Sequence, residues 1–143
     1  MTVKAILDSK GRNVVTISPD KSLAEAAGLL AERGIGAVVV TREEGLIAGI
    51  LSERDIVRAL GRNGAEALDQ PVSEVMTAKV QRCKEAHTVN EVMQIMTAGR
   101  FRHLPVEHNG RIAGIISIGD VVKKRIEEAE REAEEIRTYI ATA

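Results

Sequence analysis

Two stretches of this chain set a hydroxyl and a carboxylate three residues apart where an apolar run should hand over to a helix. Residues 48–57 read AGILSERDIV, and residues 113–122 read AGIISIGDVV. Ser52 and Asp55 form the first pair, Ser117 and Asp120 the second. A helix start leaves its first N–H groups unpaired and turns the positive end of its dipole outward, which favours phosphate. The Ser adds a hydroxyl to such a site. An ionised Asp in the first turn accepts hydrogen bonds from both hydroxyls of a ribose cis-diol. The same Ser-x-x-Asp pattern is also a plain helix cap. A single copy favours the cap; the second copy at matched spacing adds a paired binding site as the alternative, and one residue can serve both ends. Arg54 follows Ser52 by two and is placed to reach a phosphate or to lie in solvent. Its counterpart is Gly119, so the two sites are not equivalent.

The copies lie 65 positions apart and extend far upstream of the motif. Ser22-Leu23-Ala24-Glu25 matches Thr88-Val89-Asn90-Glu91, and Ala37-Val38-Val39-Val40 matches His103-Leu104-Pro105-Val106. One extra residue in the first copy falls between Thr41 and Gly45, where a turn absorbs it. Two copies of a unit this long imply one compact body with pseudo-twofold symmetry rather than a solenoid.

Within each copy the elements follow one order. Ser22 with Glu25, and Thr88 with Glu91, read as capping boxes that open helices. Apolar residues at helical spacing follow, and Gly34 and Gly99 are the expected stops. Strands are expected over 37–40 and 46–51 in the first copy, and over 101–106 and 111–116 in the second. Asn109-Gly110 marks the second hairpin. Short leading strands are expected near 14–17 and 80–82, and final helices from Ser52 and Ser117. The fold class is α/β, in α+β arrangement: two tandem β-α-β-β-α units. Val122, Ile126, Ala129, Ala133, Ile136 and Ile140 continue the last helix as a heptad seam. That seam outruns the core one unit needs, so it is read as a subunit contact rather than a helix lying on its own domain.

Composition narrows the function. Phe101 and Tyr139 are the only aromatics and net charge is −1, which argues against a base-stacking platform or a broad phosphate-backbone footprint, so no nucleic acid is expected. No stretch approaches the roughly 20 apolar residues of a membrane span, and the N-terminus lacks a signal peptide's apolar core. A cytoplasmic location is the expectation. His87, His103 and His108 have no Cys or carboxylate at ligand spacing, so no metal is expected. Cys83 reads as a small core residue. Ser18-Pro19-Asp20-Lys21 lacks the helix start and partners of a catalytic Ser-x-x-Lys, and no Walker A loop or nucleophile elbow is present. Nothing points to an enzyme.

The repeated unit, its G-h-h-S-x-x-D motif and the FRHLPV strand of the second copy resemble a tandem pair of CBS (cystathionine β-synthase) domains, a Bateman module. The resemblance covers about residues 1–125, with units over 1–60 and 80–125, a linker over 61–79 and a helical extension over 126–143. It implies two units packed through their sheets, with clefts for an adenosyl ligand such as AMP, ADP, ATP, NAD or S-adenosylmethionine. Asp55 and Asp120 would hold ribose, with Ser52 and Ser117 near phosphates. Arg102 and His103 stand where such modules contact phosphate or base, as do Gly36 and Ala37 in the first copy. Thr16 and Arg82 stand where they line the adenine pocket. The implied role is a regulatory sensor of energy or redox state that acts on a protein partner as a homodimer. The alternative is an interaction scaffold that works through its C-terminal helix without sensing a ligand.

Overall fold

The computed structural model describes residues 1–142. The chain opens with α1 (Val3–Lys10). The first repeat then supplies β1 (Thr16–Ile17), α2 (Leu23–Arg33), β2 (Ala37–Thr41), β3 (Ile47–Ser52) and α3 (Glu53–Asn63). A 3₁₀ segment (Gly64–Asp69) and the short α4 (Val72–Val75) lead to the second repeat. That repeat supplies α5 (Val89–Gly99), β4 (His103–His108), β5 (Arg111–Ser117) and the long α6 (Ile118–Thr142).

The expected capping boxes form at both helix starts. The Glu25 amide donates to Ser22 Oγ at 3.1 Å and the Ser22 amide to Glu25 at 2.9 Å; Thr88 and Glu91 repeat both bonds at 3.1 Å. β1 runs parallel to β2, β2 antiparallel to β3, and β4 antiparallel to β5. Each hairpin carries a register shift at the same repeat position, at Val40/Thr41 and at Val106/Glu107.

Two expectations are corrected. The leading strand near 80–82 reduces to one bridged residue, Cys83, whose amide donates to the Pro105 carbonyl at 2.9 Å. Its cause is upstream: Thr77 pairs with Ile50 on β3, so the next few residues cross between repeats and cannot also run along β4. The stop expected at Gly99 falls one residue later, at Arg100, which is left-handed at φ 54° like its counterpart Gly34 at φ 62°. Gly99 is needed for space instead: a Cβ there would collide with the Phe101 ring.

The hydrophobic interior forms two clusters, and neither is built from one repeat alone. The first-repeat core buries Ile17, Leu23, Val38, Val40 and Leu51, and is closed by Ala67 and Val72 from the connecting segment. The second buries Val89, Met96, Leu104, Val106 and Ile116, and is closed by Val3, Ile6 and Leu7 of α1. The two closures share one hydrogen-bond pattern. The Val3 amide donates to His87 and the Val89 amide to Met1, each at 2.9 Å. The Val72 amide donates to Lys21 at 2.7 Å and the Leu23 amide to Gln70 at 2.9 Å. The repeats also meet at their hairpin turns, where the Ile47 amide donates to the Gly110 carbonyl at 3.1 Å and Arg111 pairs with Glu44 at 2.9 Å.

The closing segments explain the motif glycine. A Cβ on Gly49 would stand 2.5 Å from the Thr77 carbonyl oxygen, and one on Gly114 would stand 2.9 Å from both Leu7 methyl carbons. Gly49→Ala should therefore cost about 1–3 kcal/mol, because backbone must move to admit it. Gly28→Ala, on the exposed face of α2 with nothing within 4 Å of the new Cβ, should instead stabilise by about 0.5–1 kcal/mol. Urea unfolding of both variants checks the contrast.

Candidate functional site

The two Ser-x-x-Asp motifs sit at equivalent strand-to-helix junctions. Ser52 ends β3 and caps α3: the Asp55 amide donates to Ser52 Oγ at 3.3 Å. The Ser52 amide and hydroxyl donate to Asp55 Oδ2 at 2.9 and 3.2 Å. Ser117 and Asp120 repeat the reciprocal pair at the start of α6, at 3.2 and 2.9 Å. The cap thus consumes Oδ2 of each carboxylate. Among the described residues neither Oδ1 has a protein donor, so each motif holds a half-buried Asp with one oxygen fixed by the cap and the other unpaired by protein.

Strand register brings other expected residues alongside. Ala37 lies opposite Ser52, and His103 opposite Ser117. The carbonyls of Gly36 and Arg102 accept from the first amides of α3 and α6, from Glu53 at 2.9 Å and from Ile118 at 2.8 Å. Gly36 is a close-approach glycine, since a Cβ there would stand 2.7 Å from Glu53 Oε1 and 3.5 Å from His103 Cε1. Gly36, Glu53 and His103 therefore meet across the two repeats, with Asp120 close enough to act on the imidazole. Arg54, Arg102 and Gly119 are exposed beside them, and neither Arg54 nor Arg102 makes an ion pair among the described residues. Thr16 is exposed on β1 opposite Val39. Arg82 is committed elsewhere: it donates to Glu107 at 3.1 Å and to the Ile47 carbonyl of the other repeat at 3.2 Å.

A family model for the CBS domain matches residues 3–62 and again residues 72–127. The chain belongs to the CBS domain family. It carries the domain twice, as a tandem pair. It is 36% identical over 111 residues to a 17.7 kDa protein of Acidianus ambivalens, covering 77% of this chain and 66% of that one; the chain thus spans about two thirds of that relative's length. Among solved structures, the pair is similar to a CBS-domain protein from Agrobacterium tumefaciens. The TM-score is 0.83 and the identity 58%, over 87% of this chain and 92% of that one. It is also similar to the CBS domain pair of protein MJ0100, solved with 5′-methylthioadenosine and S-adenosyl-L-methionine. There the TM-score is 0.80 and the identity 26%, over 90% and 98% of the two chains.

Within this CBS pair the two motifs differ in one respect that the repeat does not announce. Lys10, at the end of α1, places its ammonium 2.7 Å from Asp120 Oδ2 and 2.8 Å from the Ile115 carbonyl oxygen. Asp55 receives no such cation among the described residues. Burial acts to raise the Asp120 carboxyl, but the Lys10 and Ser117 hydrogen bonds outweigh it and hold the group below its ordinary value. Lys10 and Glu53 were not among the residues singled out from the sequence. Glu53 is a variable position of the motif, and Lys10 lies outside the repeat in a stretch that carried no helix expectation.

His103 is half-buried, and burial holds its imidazole below the ordinary value of 6.5. Glu53 pulls against that shift, Lys10 and Arg102 reinforce it, and Asp120 opposes it. The native state thus keeps His103 neutral where the unfolded chain would take up a proton. Its contribution to stability is full above pH 6.5 and is lost as pH falls through the lowered native value. Melting temperature should drop between pH 7.5 and about 5 in the wild type, and His103→Gln should flatten that slope. Scanning calorimetry at both pH values reads the difference.

No helix among the described residues is long and apolar enough to cross a membrane. Burial pushes the Cys83 thiol up to about 12, with Glu107 adding to the shift, so the thiol stays protonated in the core.

Proposed function

We propose that this CBS pair is a regulatory module that binds adenosyl ligands at its Ser-x-x-Asp junctions and acts as a homodimer. The observation that carries the reading is the division of labour within each Asp. One oxygen closes the cap and fixes the side chain, while the other is presented, unpaired, beside a helix start. That is an acceptor for a ribose diol next to the positive end of a helix dipole, which favours phosphate. The ligands seen on the MJ0100 pair, both adenosyl compounds, support the class. AMP, ADP, ATP, NAD and S-adenosylmethionine are the candidates, and the role is to report energy or redox state to a protein partner rather than to catalyse.

A native-state ligand adds RT ln(1 + [L]/Kd) to stability. At least one adenosyl compound at millimolar concentration should raise the melting temperature, and guanine nucleotides should do less. A flat response to every adenosyl compound would overturn the reading. Asp55→Ala and Asp120→Ala separate the two roles of the carboxylate. Loss of the cap lowers stability without ligand by about 1 kcal/mol. Loss of the charged acceptor weakens binding by about 1.5–3 kcal/mol at one cleft. Calorimetric titration beside melts of the ligand-free variants measures both, and unchanged affinity would leave only the cap.

The assembly reading rests on α6. Val122, Ile126, Ile136 and Ile140 are 46%, 53%, 59% and 69% exposed, so the heptad seam faces away from its own core. Val57 on α3, the repeat counterpart of Val122, is 66% exposed as well. Apolar residues at paired positions of both repeats fit a face shared with a second copy. Ile126→Glu or Ile136→Glu should shift the protein from dimer to monomer without lowering secondary structure, as read by light scattering over a concentration series with circular dichroism. A wild type that stays monomeric at high concentration would overturn the dimer.

A further inference from the structure

We propose that Lys10 sets the ligand preference of the second cleft: it holds Asp120 in the empty protein and gives it up to adenosyl ligands that bring a negative charge. The inference rests on the adenosyl-binding reading and adds a selectivity that the family motif does not contain.

The two clefts should be alike, since Ile50, Ser52 and Asp55 recur as Ile115, Ser117 and Asp120. They differ in what the closing segment delivers to them. In the first half the closing helix is the four-residue α4, and the chain beyond it donates the Thr77 amide to the Ile50 carbonyl at 2.9 Å. In the second half the closing helix is the eight-residue α1, and the equivalent carbonyl, Ile115, accepts from the Lys10 ammonium at 2.8 Å. A fixed backbone amide is thus replaced by a charged group on a flexible four-carbon stem. The same ammonium reaches Asp120 Oδ2 at 2.7 Å.

That contact bears on both kinds of ligand. A neutral adenosyl ligand offers only its diol, to the Asp120 oxygen that Lys10 leaves free, and meets a carboxylate whose strength as an acceptor Lys10 has already reduced. It supplies no acceptor for the ammonium. An anionic ligand supplies an acceptor for Lys10, which is a mobile point charge that swings without moving its helix. Lys10 and Asp120 are 35% and 25% exposed, so the pair is open enough for the exchange. Lys123 and Lys124 line the same pocket as Lys10; Glu127, also in that lining, pairs with Lys124 at 3.5 Å, which leaves Lys123 as the second cation facing an anion.

The test compares AMP with 5′-methylthioadenosine, which keeps the adenosine and lacks the phosphate. Asp55→Ala removes the first cleft's carboxylate, so titrations of that protein report the second. Adding Lys10→Met, which keeps the apolar stem, should tighten 5′-methylthioadenosine by about 3- to 10-fold and weaken AMP by a similar factor. Lys10→Arg should retain the preference for AMP. Equal changes for both ligands, no change, or a change for one ligand alone would overturn the inference. Failure of both ligands to bind, with Lys10 and without it, would instead overturn the adenosyl-binding reading itself.

Discussion

Each hydrophobic core is closed by a segment that lies outside its own repeat, and the rest of the structure follows from that exchange. Val3 and Leu7 have no exposed surface in the second core, and Val72 has none in the first. Full burial of a Val or Leu contributes about 1.5–3 kcal/mol, so removing either closing segment would strip a core of several such contributions. The second repeat therefore depends on residues more than seventy positions upstream. The hairpin turns add a second connection through the Ile47 amide and the Gly110 carbonyl. The halves are similar in sequence but are not separate folding units.

The same exchange fixes where chemistry can occur. The closing segment must lie against β3 or β5 at the motif glycine, three residues before the Ser that caps the next helix. Whatever follows the closing helix then falls beside the carboxylate. α4 ends at Val75 and delivers backbone; α1 runs to Lys10 and delivers an ammonium. Two clefts built on one motif thus acquire different charge without any change in the motif's Ser or Asp. The difference at Arg54 and Gly119 adds to it, as does the placing of His103 opposite Ser117 where the first repeat has Ala37 opposite Ser52.

Much of this was legible in the sequence because it is periodic. The capping boxes at Ser22 and Thr88, the paired strands of each hairpin, and the Ser-x-x-Asp junctions announce themselves twice, and each appears in the fold. What escaped was aperiodic. α1 escapes because Val3, Ile6 and Leu7 stand at helical spacing over only eight residues, too few to carry a helix alone, and the surface that buries them belongs to the distant repeat. The leading strand at 80–82 failed because Thr77 spends the preceding residues on the other repeat. Gly99 reads as a stop because glycine often ends helices, whereas in the fold it makes room for Phe101 and leaves the left-handed position to Arg100. Lys10 left no local signal, since its partner stands 110 residues away.

The placement of the two caps gives the clefts unequal leverage. Asp55 closes the start of an 11-residue helix, whereas Asp120 closes the start of the 25-residue helix that carries the exposed seam. α6 is held at its root by the Ser117–Asp120 pair. Further along, Glu128 lies 3.8 Å from the Met1 amine, at the start of the same α1 that ends in Lys10. α1 thus meets α6 at the capping carboxylate and through the core it shares with Val121, and Met1, just ahead of α1, adds a contact about two turns beyond the cap. The exchange of partners proposed for Lys10 would release one of these contacts and leave the cap in place, because Ser117 and Lys10 donate separately to the same oxygen. The second carboxylate is therefore the one set among the contacts that seat α6. Among the described residues the first carboxylate, Asp55, has no cation tying it to a closing helix.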